Sequence, residues 1–291
     1  MRKESQADNL RRMLKRKPAK VVAVCSGKGG VGKTNVATNL AVALAAMGRE
    51  VCLLDADMSL ANVDVLLGLQ PKFNLSHVVA GQVDLESTIM RGPKNLRIVP
   101  ASSGTFAMTD LAPAAQAGLI QAFSDLGRQP ELLIVDTAAG ISPAVARFVQ
   151  AAQHPVVVVR DEPASLTDAY ALVKVFSQNY GVTRFNVITN QSRRANDGRK
   201  LFAKLTRVTD TYLDVVLRHL GDVPDDRYLA KAVQEQRSVV DAYPQSPSGT
   251  AFLKIGKAVD GLPARREPTG GIEFFFERLL MADSASRGKV A

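Results

Sequence analysis

Val21-Val22-Ala23-Val24-Cys25-Ser26-Gly27-Lys28-Gly29-Gly30-Val31-Gly32-Lys33-Thr34 is an apolar run that breaks into a glycine-rich loop, and Asn35 to Met47 continues it with helical character. Consecutive apolar residues that include Val and Cys read as a strand buried on both faces. The loop fits Gly-x-x-x-x-Gly-Lys-Ser/Thr between a strand and a helix. In that setting glycines let successive backbone N–H groups curl around phosphate oxygens. Lys33 reaches the β and γ phosphates, and the Thr34 hydroxyl can hold Mg2+. Gly27, Lys28, Gly29, Gly30, Val31, Gly32, Lys33, Thr34 and Asn35 are therefore the candidate contacts of a nucleotide, ATP or ADP. A glycine-rich turn that binds nothing is disfavoured by the strand-loop-helix context.

Outward from this loop, Val51 to Leu54, Leu96 to Val99, Leu132 to Val135, Val156 to Val159 and Phe185 to Thr189 read as further strands, separated by segments of helical period. The alternation implies an α/β fold, a doubly wound and mostly parallel sheet with helices on both faces, whose ligands sit at the carboxyl ends of the strands. Two strands end in carboxylates there. Asp55 and Asp57 follow Val51 to Leu54, and Asp136 closes Leu132-Leu133-Ile134-Val135-Asp136, a pattern that holds Mg2+ directly or through its water.

The chain has 291 residues, 46% of them hydrophobic, enough for one α/β domain with appended tails. Its net charge of +9 is concentrated at the start, since residues 1–20 carry eight basic groups and two acidic ones. Only Cys25 and Cys52 are present, each inside an apolar run, so reduced cysteines fit better than a disulfide framework. No apolar segment resembling a signal peptide or a spanning helix is seen, and the expected location is the cytoplasm. The expected organisation is a basic arm or activator helix over 1–20, an ATPase domain over 21–260, and a linker and amphipathic helix over 261–291. In the last segment Ile272, Phe275, Phe276, Leu279 and Leu280 recur at i, i+3, i+4, i+7 and i+8, one helical face. Beyond a Pro/Gly-rich stretch and near Arg265, Arg266, Arg278, Arg287 and Lys289, this reads as a membrane-surface helix. Docking onto the protein's own body is the competing reading.

Lys28, a second lysine within Gly27-Lys28-Gly29-Gly30-Val31-Gly32-Lys33-Thr34, resembles the deviant Walker A loop of the MinD/ParA family. The resemblance implies that Lys28 reaches across a nucleotide-sandwich homodimer to the partner's phosphates, which would make ATP binding and dimerisation one event. A solvated loop lysine is the plainer alternative. Asp55-Ala56-Asp57-Met58-Ser59-Leu60-Ala61-Asn62 looks like the family's switch I. It implies that Asp57 orients the hydrolytic water and that Asp55 lies in the Mg2+ region. Helix capping is the ordinary role for such an aspartate, but in-line water needs a positioned acceptor. Thr137-Ala138-Ala139-Gly140 resembles switch II. Asn190, Pro224 and Asp225 match the family's adenine-binding positions, although Asn and Pro are also common turn residues.

Longer stretches, Asp55 to Leu69, Asp136 to Ile141 and Asp161 to Tyr170, resemble the flagellar-number regulators of the FleN/FlhG type within that family. They imply slow ATP hydrolysis coupled to a dimer-monomer switch, a FleQ-type transcriptional activator and the GTPase FlhF as partners, and peripheral contact with the inner membrane in the ATP-bound dimer. Gln6-Ala7-Asp8-Asn9-Leu10-Arg11 resembles the activator motif of the same group, and a disordered basic arm fits it equally well. Two alternatives stay open: a division-site regulator, and a DNA partition ATPase acting through Arg193, Arg194, Arg199 and Lys200, though direct DNA binding is not the favoured reading. An electron-transfer relative fails, because a bridging cluster needs paired thiolates near the dimer interface and both cysteines lie on buried strands.

Overall fold

The computed structural model describes residues 19–57, 63–100, 113–127, 129–263 and 275–279. Strand β1 (Lys20–Cys25) shows how the layers arise. Val21, Ala23 and Cys25 point into one core, Val22 and Val24 into another, because successive side chains of a strand face opposite ways. The remaining strands are β2 (Val51–Ala56), β3 (Met90–Arg91), β4 (Arg97–Val99), β5 (Leu132–Thr137), β6 (His154–Arg160), β7 (Arg184–Ser192) and β8 (Val216–Pro224). They lie in the order β3-β4-β2-β5-β1-β6-β7-β8, parallel throughout except for β3 against β4. The chain leaves β1 toward β2 on one side and reaches β6 on the other. The order of winding therefore reverses at β1, and a crevice opens beyond its carboxyl end.

The helices are α1 (Lys33–Ala46), α2 (Val63–Leu66), α3 (Leu75–Val79), α4 (Pro113–Ser124), α5 (Pro143–Ala151), α6 (Pro163–Tyr180), α7 (Asp197–Tyr212), α8 (Arg227–Gln234), α9 (Val239–Ala242) and α10 (Pro247–Asp260). Helix α1 is apolar nearly all round. It is buried between the sheet and α10, where Val36, Leu40 and Leu44 share a core with Phe252 and Ile255. The opposite face is covered by α4 to α7 through Phe123, Phe148, Phe176, Leu201 and Leu205. Strand β1 and helix α10 are tied together where Lys20 Nζ donates to the carbonyls of Val259 and Asp260, at 3.2 and 2.6 Å.

The fold is the doubly wound sheet the alternation implies, with two additions. β3 has two residues, too few to leave a periodic signal. β8, at the sheet's edge, is only partly buried and interrupted by Arg218, His219 and Asp222, so its sequence reads only as a strand-like apolar patch. Cys25 and Cys52 are free and buried, and burial pushes both thiols up to about 12.

Of the two readings of the tail, the structure adopts the docked one. Residues 275–279 are helical, and Phe275, Phe276 and Leu279 are buried in the core under α4 to α7. The Phe276 ring stacks on Phe123 with centroids 3.7 Å apart. Ile272 and Leu280 lie outside the described residues, as do the basic arm and its Gln6 to Arg11 motif. Among the described residues no helix is long and apolar enough to cross a membrane.

Candidate nucleotide-binding site

The glycine-rich loop links β1 to α1 and takes backbone angles that suit glycine. Gly30 and Gly32 have φ of 79° and 86°, and a Cβ on Gly32 would collide with the Asn190 amide. Gly27 is packed against the backbone of Asp168, whereas Gly29 and Gly30 face open space, where a phosphate can approach. The Asn190 Nδ2 donates to Val31 O at 2.8 Å, so one of its two amide hydrogens buttresses the loop and the other remains for a base. Midway along α1, Asn39 Nδ2 donates to the Asn35 carbonyl and side chain, while Asn39 Oδ1 accepts from Ser238 Oγ at 2.7 Å. The nucleotide-facing helix is thereby pinned to the start of α9.

Lys33 is turned inward. Its Nζ lies 2.8 Å from Asp136 Oδ1 and 3.9 Å from Asp57 Oδ2, with the lysine 7% and Asp136 0% exposed. Burial pushes the Asp136 carboxyl above the usual carboxylate range, against the pull of the Lys33 ammonium. Asp136 Oδ2, also buried, makes no close hydrogen bond among the described residues, and the Thr34 hydroxyl stands beside the carboxylate. A carboxylate oxygen and a hydroxyl side by side are the donor set a hard divalent cation takes, so the residues present fit Mg2+. Asp55 is committed elsewhere: its two oxygens accept the N–H groups of Asp57 and Val63, at 3.1 and 3.3 Å.

Lys28 is turned outward. It lies 3.6 Å from Glu162, with both side chains more than one third exposed, and Glu162 also meets Arg160. The stretch that resembles switch II passes the loop closely, since Gly140 N–H donates to Ser26 O at 2.8 Å and the Thr137 hydroxyl to Val24 O at 3.0 Å. Pro224 ends β8 and is half-buried, and Asp225 N–H donates to Ser192 O while its side chain faces solvent. These two residues flank the β7–β8 ends beside Asn190, at some remove in the fold from the Lys33 cluster. Arg193, Arg194, Arg199 and Lys200 are all exposed around the start of α7.

Reading by motif singled out the loop, Asp57, Asp136 and Asn190, which the structure brings together. It missed Glu162 as the companion of Lys28, and Asn39 as the link to α9. Glu162 stood in the sequence only as part of the Asp161 to Tyr170 stretch and as the residue before Pro163, a helix-start signal, and neither says anything of Lys28.

Comparison with known proteins supplies the rest. The ParA family model, described as "NUBPL iron-transfer P-loop NTPase", matches residues 17–260. Antiactivator FleN of Pseudomonas aeruginosa is 53% identical over 263 residues, which are 90% of this chain and 94% of that one. Flagellum site-determining protein YlxH of Helicobacter pylori is 31% identical over 267 residues, 90% of each. Among solved structures, the septum site-determining protein MinD of Pyrococcus horikoshii, complexed with Mg-ADP, superposes with a TM-score of 0.65 at 26% identity, over 84% of this chain and 96% of that one. With its glycine-rich loop, inward lysine and strand-end carboxylates in this arrangement, the chain belongs to the ParA/MinD family of P-loop ATPases.

Proposed function

We propose that the chain is a nucleotide-dependent dimerising switch that regulates flagellar number and placement, by restraining a FleQ-type transcriptional activator and in partnership with the GTPase FlhF. The observation that carries the switch is the opposite orientation of two lysines in one loop. Lys33 faces the buried carboxylates, while Lys28 stands at the surface in a weak, half-exposed ion pair that a partner's phosphates can outcompete. The flagellar assignment is supported by the relative of 53% identity whose name states antiactivation.

In this reading Lys33 and the backbone of Gly29 to Thr34 hold the phosphates, and Asp57 accepts from and orients the attacking water. Thr34 and Asp136 would hold Mg2+, which supplies charge neutralisation at the phosphates. Asn190, with Pro224 and Asp225, frames the adenine. The arm expected over residues 1–20 would end before Ala19 and Lys20, which already belong to the core and to β1 of the ATPase domain, and residues 261–291 carry a helix that lies on the body or on the inner-membrane surface. ATP favours the dimer and the freed helix; hydrolysis returns the monomer.

Light scattering of the Asp57→Ala variant with ATP and with ADP, repeated with anionic vesicles, tests this. A doubled mass and vesicle binding with ATP alone are expected. A monomer in both states sinks the sandwich dimer and the role given to Lys28. Salt-steep binding to duplex DNA through Arg193, Arg194, Arg199 and Lys200 would favour the partition reading instead.

A further inference from the structure

We infer that Asp55 is a positioning residue for hydrolysis: its carboxylate ties the chain after β2 to the start of α2 and so sets where Asp57 stands against Lys33. The inference rests on the reading of Asp57 given above. Asp55 is the penultimate residue of β2, a strand buried along its whole length, and is 2% exposed, so its side chain is fixed by the sheet. One oxygen accepts the Asp57 N–H at 3.1 Å and the other the Val63 N–H at 3.3 Å. One side chain thus holds both flanks of residues 58–62, which lie outside the described chain. A second hold comes from the far side, where Gln236 Nε2 donates to Val65 O at 3.1 Å from a left-handed backbone with φ of 52°. Helix α2 is therefore anchored at both of its ends.

The consequence falls on Asp57. Its amide, one residue beyond β2, is bound to Asp55 while its carboxylate lies 3.9 Å from the Lys33 ammonium, so its reach toward the phosphates is set by the clasp. A carboxylate serving two backbone amides is poorly placed to give both oxygens to a cation as well, and Asp136 Oδ2 has no such commitment. The metal contact then belongs to Asp136 and Thr34, and Asp55 works through Asp57.

Two substitutions break the clasp from opposite sides. Asp55→Asn keeps one acceptor and turns an N–H toward a donor. Val63→Pro removes a donor at the first position of α2, where the fixed φ of proline suits a helix start. In the full chain each should lower kcat about tenfold or more, since small misplacements at the reacting atoms are amplified. KM for ATP and the Mg2+ concentration for half-activation should stay within about threefold, because neither phosphate nor metal contacts change. The double variant should be no slower than the slower single one, as members of one interaction are not additive. In the wild-type chain, hydrogen exchange at the Asp57 and Val63 amides should be slowed at least about a hundredfold relative to an unfolded peptide.

Unprotected amides overturn the clasp without any variant, which covers the case of substitutions that fail to fold. A large rise in the Mg2+ requirement for Asp55→Asn but not for Val63→Pro makes Asp55 a metal ligand and overturns it too. Wild-type kcat in Asp57→Ala would show that the reading of Asp57 is at fault. Loss of hydrolysis in Asp57→Ala with unchanged kcat in folded Val63→Pro would remove the clasp alone.

Discussion

Lys28 and Lys33 sit five positions apart in one loop and meet opposite surroundings. The Lys28–Glu162 pair is half-exposed and worth at most about 1 kcal/mol, so Glu162→Gln should lower the protein concentration for half-dimerisation with ATP by no more than about fivefold. Sedimentation across a dilution series measures this, and a larger effect would mean Glu162 does more than hold Lys28. Lys33 is different in kind. Lys33→Met leaves the fully buried Asp136 without its 2.8 Å partner, and the nucleotide-free chain should lose about 3–5 kcal/mol at neutral pH unless the carboxyl protonates. Denaturant unfolding at pH 5 and pH 8 reads both terms: burial already pushes Asp136 up, so the loss should be smaller at pH 5. Residue identity made Lys33, Asp57 and Asp136 legible, because each ends a strand or loop whose chemistry is fixed by type. The partners of Lys28 and Asp55 were not legible, because they depend on the direction of loop backbones, which no periodicity records.

At the scale of elements, Asp226 joins two helices. It caps α8 by accepting from Tyr228 N–H at 3.0 Å and takes both the N–H and the hydroxyl of Ser248 in α10, at 2.9 and 2.6 Å. Burial alone would raise its carboxyl, but these hydrogen bonds prevail and hold it below the ordinary value of 3.8. A lowered carboxyl contributes stability that is complete above that value and lost as pH falls through the folded-state pKa. Asp226→Asn should therefore cost about 1–2 kcal/mol at pH 7, and the gap from wild type should close below about pH 4. Thermal unfolding across pH checks it. Element reading from sequence succeeded wherever burial was two-sided: α1 was expected from Asn35 to Met47 and runs from Lys33 to Ala46. It faltered at the sheet's edges, where β8 carries a register shift between Val187 and Ile188 of its neighbour and alternates polar with apolar residues weakly.

For the whole molecule, the tail is the part whose apolar face was legible and whose seat was not. The i, i+3, i+4 spacing marks a face, and only the fold shows that Phe123 and Phe148 receive it. Phe123→Ala empties the seat and leaves the tail's own residues intact. It should cost about 3–5 kcal/mol in stability, as for other buried phenylalanines. If the helix also serves membranes, the same variant should bind anionic vesicles more tightly than wild type with ADP, as read by co-sedimentation. Equal binding would separate the seat from any membrane role.

The route of the tail has one more consequence. Leu262 belongs to the core around α1 and α10 and Phe275 to the core on the sheet's other side, joined by residues 263–274. That leash spans at most about 40 Å when extended, which keeps a released helix near its seat at an effective concentration on the order of millimolar. In the proposed switch, undocking and redocking would therefore be first-order events, indifferent to dilution. Pairing of two chains is second-order and is not. If the proposed switch operates, diluting the protein in the presence of ATP should separate the chains long before it frees their tails, so abundance would set one of these equilibria and leave the other untouched.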